Sequence, residues 1–145
     1  MKISQKAEYA VRALLDLAIH APPNTGTRSA EVARRTGVPD KFLDAILRDL
    51  RKAGLVSSRR GRDGGHWLAR DPSRLTVSAI LEAMDGPLSA ASGGGRERRG
   101  ATSADVCLQD LWGRVARAAQ AVVDAVTLDD LRRQAGARDP LDFTI

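Results

Sequence analysis

The densest chemistry in this 145-residue chain lies in Arg59-Arg60-Gly61-Arg62-Asp63-Gly64-Gly65-His66. Three guanidinium groups that stay charged at any working pH alternate with three glycines. Glycine admits positive φ and lets backbone approach another surface closely, while arginine forks onto phosphate oxygens or enters a narrow, electronegative minor groove. Leu55-Val56-Ser57-Ser58 and Trp67-Leu68-Ala69 read as short strands, so the segment is expected to be a hairpin tip. The competing reading is an ordinary solvated hairpin. The surrounding charge argues against it: residues 48–74 carry eight Lys/Arg and three Asp, a local excess of +5 that equals the net charge of the whole chain. A concentrated basic stretch is the footprint of a polyanion binder.

Other chemistry is poorly supported. His20 falls at the end of a helical stretch and His66 in the hairpin, so neither pairs with the single cysteine, Cys107. No metal-ligand spacing and no phosphate-binding glycine loop occurs, and no catalytic or metal-ligating residue is assigned; an enzyme is not expected. One cysteine cannot form an internal disulfide. The N-terminal residues lack the apolar core of a signal peptide, and Arg12 and Asp16 interrupt the first apolar stretch. The expectation is a cytoplasmic protein without a membrane association.

The elements that must position the basic hairpin can be read from periodicity. Residues 3–19 form a helix through Ala7, Ala10, Val11, Leu14 and Ala18 and stop at Pro22-Pro23. Ser29 is the expected N-cap of a short second helix, with Val32 and Ala33 inward and Gly37 as its stop. Pro39 and Asp40 open a third helix whose apolar face is Phe42, Leu43, Ile46, Leu47 and Leu50. Two short helices around a glycine turn, followed by a hairpin, spell a helix-turn-helix with a wing. Leu75–Met84 reads as a helix capped by Thr76 or Ser78. Residues 89–103 are rich in Ser, Ala, Gly and Arg and are expected to be a flexible loop.

From Ala104 the helical pattern returns. Leu108, Trp112, Val115, Ala119, Val122 and Val126 follow a heptad seam, widened by Leu111, Ala118 and Ala125 toward the rest of the fold. A chain of this size cannot absorb both faces of such a helix, so the seam is assigned to a homodimer interface. Thr127-Leu128-Asp129-Asp130 resembles a capping box opening a last short helix. The fold class is therefore mainly α: a winged helix-turn-helix with a small β-hairpin wing and a long C-terminal dimerisation helix. The DNA-binding domain spans 1–88, the loop 89–103, the dimerisation helix and short terminal helix 104–135, and a polar tail 136–145.

The segments EYAVRALLDLA, EVARRTGVPDKFLDAILRDLRKAGLVSSRRGRDGGHWLARDPSRLTVSAILEAMDGPL and LWGRVARAAQAVVDAVTLDDL resemble the Rrf2 family of winged-helix repressors over nearly the whole chain. The most specific element is the wing pattern Arg60, Gly61, Gly64, Gly65 after Ala53-Gly54-Leu55-Val56. The resemblance implies a homodimer that reads a palindromic site in double-stranded DNA. In it the third helix enters the major groove and Arg60 the minor groove. Asp40, Lys41 and Asp44 would meet base edges or nearby phosphates, since a carboxylate accepts from cytosine N4 and an ammonium donates to guanine or phosphate. Ser29, Arg48, Arg59 and Arg62 are assigned to backbone contacts.

In one respect the chain departs from the family pattern. Cluster-binding members carry three cysteines in and after the loop, whereas here only Cys107 remains. One thiolate per subunit does not provide the usual ligation of an iron–sulfur cluster, so no cofactor is expected. Some members use an acidic residue of the first helix as a cross-subunit ligand, which leaves Glu8 with Cys107 from each of two chains as a residual, disfavoured set. Cys107 itself has two readings. The preferred one is a small buried apolar residue; the other is a redox-sensing thiol near Arg96, Arg98 and Arg99. The signal could be a small molecule or a partner protein. A different function class, a winged-helix module docking on a metabolic enzyme, would have no need for the arginines of the wing.

Overall fold

The computed structural model describes residues 2–87 and 100–138. Most of the loop expected at 89–103, including Arg96, Arg98 and Arg99, and the tail beyond Arg138 lie outside the described residues. Six α-helices and one antiparallel hairpin are present among them: α1 Gln5–His20, α2 Ser29–Thr36, α3 Asp40–Lys52, β1 Val56–Arg59, β2 Gly65–Leu68, α4 Val77–Asp85, α5 Ser103–Ala125 and α6 Leu128–Arg138. A 3₁₀ turn at Pro72–Arg74 joins β2 to α4.

Helix α1 is the centre of the domain. Ser4 caps it by accepting from the Ala7 N–H at 3.0 Å, and the same residue is held by the Asp85 carboxylate at the end of α4. Ala7, Ala10, Ala13, Leu14 and Leu17 are fully buried. The small side chains let α2, α3, α4 and α6 approach closely, which explains how so few aromatics can still close a core. Leu43 and Leu50 of α3, Leu75, Ile80 of α4 and Leu128 of α6 complete it. The chain returns from α5 through a pair of main-chain bonds, Val77 N–H to Val126 O at 2.9 Å and Leu128 N–H to Leu75 O at 2.8 Å.

One buried ion pair fixes the helix-turn-helix on α1. Arg35 of α2 donates from Nε and Nη2 to the two oxygens of Asp16, both at 2.9 Å. Asp16 is almost wholly buried, and its hydrogen bonds and charge hold the Arg35 guanidinium still more firmly protonated than usual. Asp16→Ala should lower stability by about 2–3 kcal/mol. That is below the usual cost of breaking a buried pair, because Arg35 keeps a second partner in Glu31. Thermal melts at fixed protein concentration should fall by roughly 5–10 °C; a melt shifted by less than about 1 °C would mean the pair adds nothing.

Several details differ from the sequence reading. The N-cap of α2 is Arg28, not Ser29, which is already in the first turn. Phe42, expected in the core, is exposed; its ring lies 6.4 Å from that of Tyr9 and beneath the Lys41 ammonium, 5.0 Å away. The apolar face of α3 was wider than its burial needed, and Leu43, Ile46, Leu47 and Leu50 suffice. Val126 ends α5 as its C-cap rather than continuing the seam. Along α5 the half-buried positions are Asp105, Gly113, Ala116, Ala119, Gln120 and Val123; Gln120 bonds Ser78 of α4 at 3.0 Å. Ala119 and Val126 are half-buried within the protomer, whereas Leu111, Ala118 and Ala125, expected to face the rest of the fold, are exposed. The last helix continues to Arg138 from a reciprocal Thr127–Asp130 capping box, so the residues from 136 are helical at first.

Candidate nucleic-acid interface

Helix α3 begins after Pro39, whose carbonyl accepts from Phe42 and Leu43 N–H at 3.0 Å. Burial of Leu43, Ile46, Leu47 and Leu50 turns the opposite face outward, so that Asp40, Lys41, Asp44, Arg48 and Arg51 are all exposed. Gly54, at φ +76°, ends the helix and redirects the chain into β1. The two strands pair in register from Val56↔Leu68 to Arg59↔Gly65, which leaves Arg60 and Arg62 in the tip at 60–64.

The hairpin is not free-standing. Thr27, just before α2, exchanges two main-chain bonds with His66, at 2.9 and 2.8 Å. A third short rung is thereby added beside β2. The close approach requires glycine: a Cβ on Gly65 would sit 2.6 Å from the Gly26 and Thr27 backbones, and one on Gly64 only 2.2 Å from the Arg59 carbonyl oxygen. The Gly-Gly step of the wing is thus explained by packing.

Between α3 and the hairpin lies a cleft of about 170 Å³ lined by Asp44, Leu47, Arg48, Arg51, Ser58 and His66. His66 bonds the Ser58 hydroxyl through Nδ1 at 2.6 Å. Burial, reinforced by Arg51 and opposed by Asp44, holds its imidazole pKa below the ordinary value, so the ring is neutral near pH 7. Sequence reasoning missed Arg51, Ser58 and His66; nothing local distinguishes them, because their meeting depends on the angle between helix and hairpin.

Charge pairing separates two sets of cations. Lys6, Arg12, Arg34, Arg35, Arg132 and Arg133 are engaged with carboxylates. Among the described residues, Lys41, Arg48, Arg51, Lys52, Arg59, Arg60 and Arg62 of α3 and the hairpin make no ion pair and are exposed, as are Lys2, Arg28, Arg70, Arg74, Arg114, Arg117 and Arg138 elsewhere. What sets the first seven apart is their concentration on one helix and the adjacent hairpin. Arg59 stacks 5.6 Å from the Trp67 ring, an arrangement that orders the side chain without neutralising it. Ser29, half-buried at the start of α2, lies on the same helix-turn-helix. Cations left unmatched on a helix and an adjacent hairpin suit a polyanionic surface.

With this geometry described, the comparisons with known proteins are decisive. The family model of the Rrf2 iron-dependent transcriptional regulators matches residues 3–134. The chain belongs to the Rrf2 family. A Mycobacterium tuberculosis protein named as an HTH-type transcriptional regulator is 36% identical over 131 residues, covering 90% of this chain and 81% of that protein. The structure of CymR, the global cysteine regulator of B. subtilis, superposes with a TM-score of 0.78 at 29% identity, covering 92% of this chain and 98% of that one. T. potens IscR gives a TM-score of 0.75 at 30% identity, covering 96% and 92%. The Rrf2 fold is a winged helix-turn-helix, and Rrf2 proteins are transcriptional regulators, not enzymes.

The family's association with iron prompts a test of the donor set. The sequence holds a single cysteine, and Cys107 in the first turns of α5 is exposed rather than packed, contrary to the preferred sequence reading. Glu8 is bound to Arg12 at 3.1 Å. Among the described residues no group of three or more His, Cys, Asp or Glu stands close enough to hold a metal ion. A thiolate-rich cluster does not fit these donors. Among the described residues, no helix is long and apolar enough to cross a membrane.

Proposed function

We propose that this Rrf2 regulator is a cytoplasmic repressor that binds a palindromic operator in double-stranded DNA as a homodimer, without an iron–sulfur cluster. The seven exposed, unpaired cations concentrated on α3 and the wing carry the reading. In this scheme α3 lies in the major groove with Asp40, Lys41 and Asp44 at base edges, Asp44 accepting from a cytosine amine. Arg60 enters the minor groove at the flank, drawn by its negative potential. Ser29, Arg48, Arg59 and Arg62 hold phosphates and set the register without reading sequence.

The second copy is called for by α5. Leu108, Leu111, Trp112, Val115 and Val122 are 43–62% exposed in the protomer. They recur at helical spacing along one side, and a contiguous apolar face of this length marks an interface. The absence of a cluster rests on the one cysteine per chain, and the regulator's signal is then a small molecule or a protein that biases the dimer.

Arg60→Ala tests the wing. Binding to an operator duplex, selected from random sequence, should weaken by about tenfold or more, with a smaller loss on unrelated duplex. Unchanged affinity for both duplexes, measured by fluorescence anisotropy, would remove the wing from the mechanism.

A further inference from the structure

Arg28 carries a function that neither its sequence position nor the family match assigns. It stands in extended backbone at the N-cap of α2 and makes no capping bond with its side chain. Instead its guanidinium crosses to the wing, where Nη2 donates to the carbonyl oxygen of Arg62 at 2.8 Å and of Gly61 at 3.3 Å. We propose that Arg28 is a positioning residue for the wing: it clasps the main chain of the tip and so fixes where Arg60 and Arg62 are held relative to α3. The inference rests on the DNA-binding reading above, because a held wing matters only if the wing reads something.

The tip itself is loosely built. It is closed by one internal bond, Gly64 N–H to Gly61 O at 3.0 Å, and two of its five residues are glycine. Glycine carries a large backbone entropy in the free state, so such a tip is intrinsically loose. The stem is already pinned where Thr27 and His66 exchange their bonds. Gly64 is buried against the Gly26 backbone, so the stretch of the tip held to the helix-turn-helix through the Arg28 guanidinium is Gly61–Arg62. A charged donor on two neutral carbonyls gives stronger bonds than a neutral donor would. Because carbonyls are the acceptors, the clasp follows the path of the main chain and leaves the arginine side chains of the tip free for DNA.

The location of the clasp matters as much as its strength. Arg28 is the residue from which the helix-turn-helix starts, and Asp16–Arg35 locks the same helix to α1. The hairpin is therefore tied at stem and tip to the unit that carries α3. A duplex presents its minor-groove flank at a set distance from the major groove that α3 occupies. A wing held in register meets both without ordering itself on binding, which is the usual gain from preorganisation.

The experiment is a double-mutant cycle with a hydrogen-exchange arm. Wild type, Arg28→Met, Arg28→Lys, Arg60→Ala and the Arg28→Met/Arg60→Ala pair are titrated against one operator duplex selected from random sequence. Amide exchange of residues 60–65 is followed in each free protein. Arg28→Met should lose affinity by about tenfold, and Arg28→Lys should lose nearly as much, because both bonds are made by the terminal Nη2, which reaches further from the backbone than a lysine Nζ. In the Arg28→Met background, Arg60→Ala should cost less than about twofold, since the two act as a unit. Exchange at the tip should quicken by about tenfold while the melting temperature stays within about 2 °C, a pattern that a merely structural role would not give.

Multiplicative losses in the cycle, or wild-type affinity in Arg28→Lys, would assign Arg28 an independent charge contact and overturn the proposal. Unchanged exchange at the tip would overturn it as well, even with DNA binding intact. If the wild type bound no duplex at low salt, the DNA reading would fail while the exchange arm still decided whether the clasp exists.

Discussion

Val122→Asp yields a monomer in sedimentation at micromolar concentration, and operator affinity falls by at least about a hundredfold. Val122 is 62% exposed in the protomer, so the substitution leaves the domain core untouched and its effect falls on association alone. In the proposed dimer the apolar interface receives two new carboxylates, one from each copy. Burying an unpaired charge costs several kcal/mol. The affinity loss follows because a monomer engages one half-site, and the second engagement no longer profits from a tether. Circular dichroism of the variant should show unchanged helix content. A dimer that persists would put the interface on another surface.

The second large effect is ionic. Seven unpaired cations per protomer are exposed on α3 and the wing, and if three or four reach phosphates, a dimer releases about six to eight counterions. The logarithm of affinity then falls with that of salt at a slope near −6, so the association constant drops by roughly a thousandfold or more between 50 and 200 mM. Arg62→Ala should reduce the magnitude of that slope by about one per half-site. The wild-type titration in monovalent salt checks the first number and the variant the second. A slope near zero would contradict an electrostatic grip on the duplex backbone.

How much of this was legible beforehand depends on the range of each interaction. Helices α1 and α3, the glycine stops at Gly37 and Gly54 and the hairpin between Leu55 and Ala69 all announce themselves within a few residues, because periodicity and turn chemistry are local. The assignment of inward and outward sides was less secure. Phe42 matched the apolar period of α3 as well as Leu43 did, and only the packing against α1 decides that Phe42 stays outside. The same ambiguity turned Leu111, Ala118 and Ala125 inward when they are exposed, and hid the exposure of Cys107, which no neighbouring residue betrays.

The interactions that join distant segments were invisible for a different reason. Arg28 and Arg62 are 34 residues apart, and Asp16 and Arg35 are 19 apart. A surface arginine and a bracing arginine are the same letter, and partner choice emerges only once the backbone has folded. Ser29 illustrates the point: it is a good capping residue by type, yet the turn begins one position earlier, at Arg28.

The junction where Val126 and Leu128 bond back to Val77 and Leu75 has a mechanical consequence. Helix α5 is moored at that foot and rises for 23 residues, a rod of about 35 Å. A tilt of about ten degrees at the mooring displaces its far end by about 6 Å, several times any side-chain adjustment at the foot itself. In the proposed dimer, a small change beside Thr76 and Thr127 is thus magnified at the far end of each rod, remote from the wing.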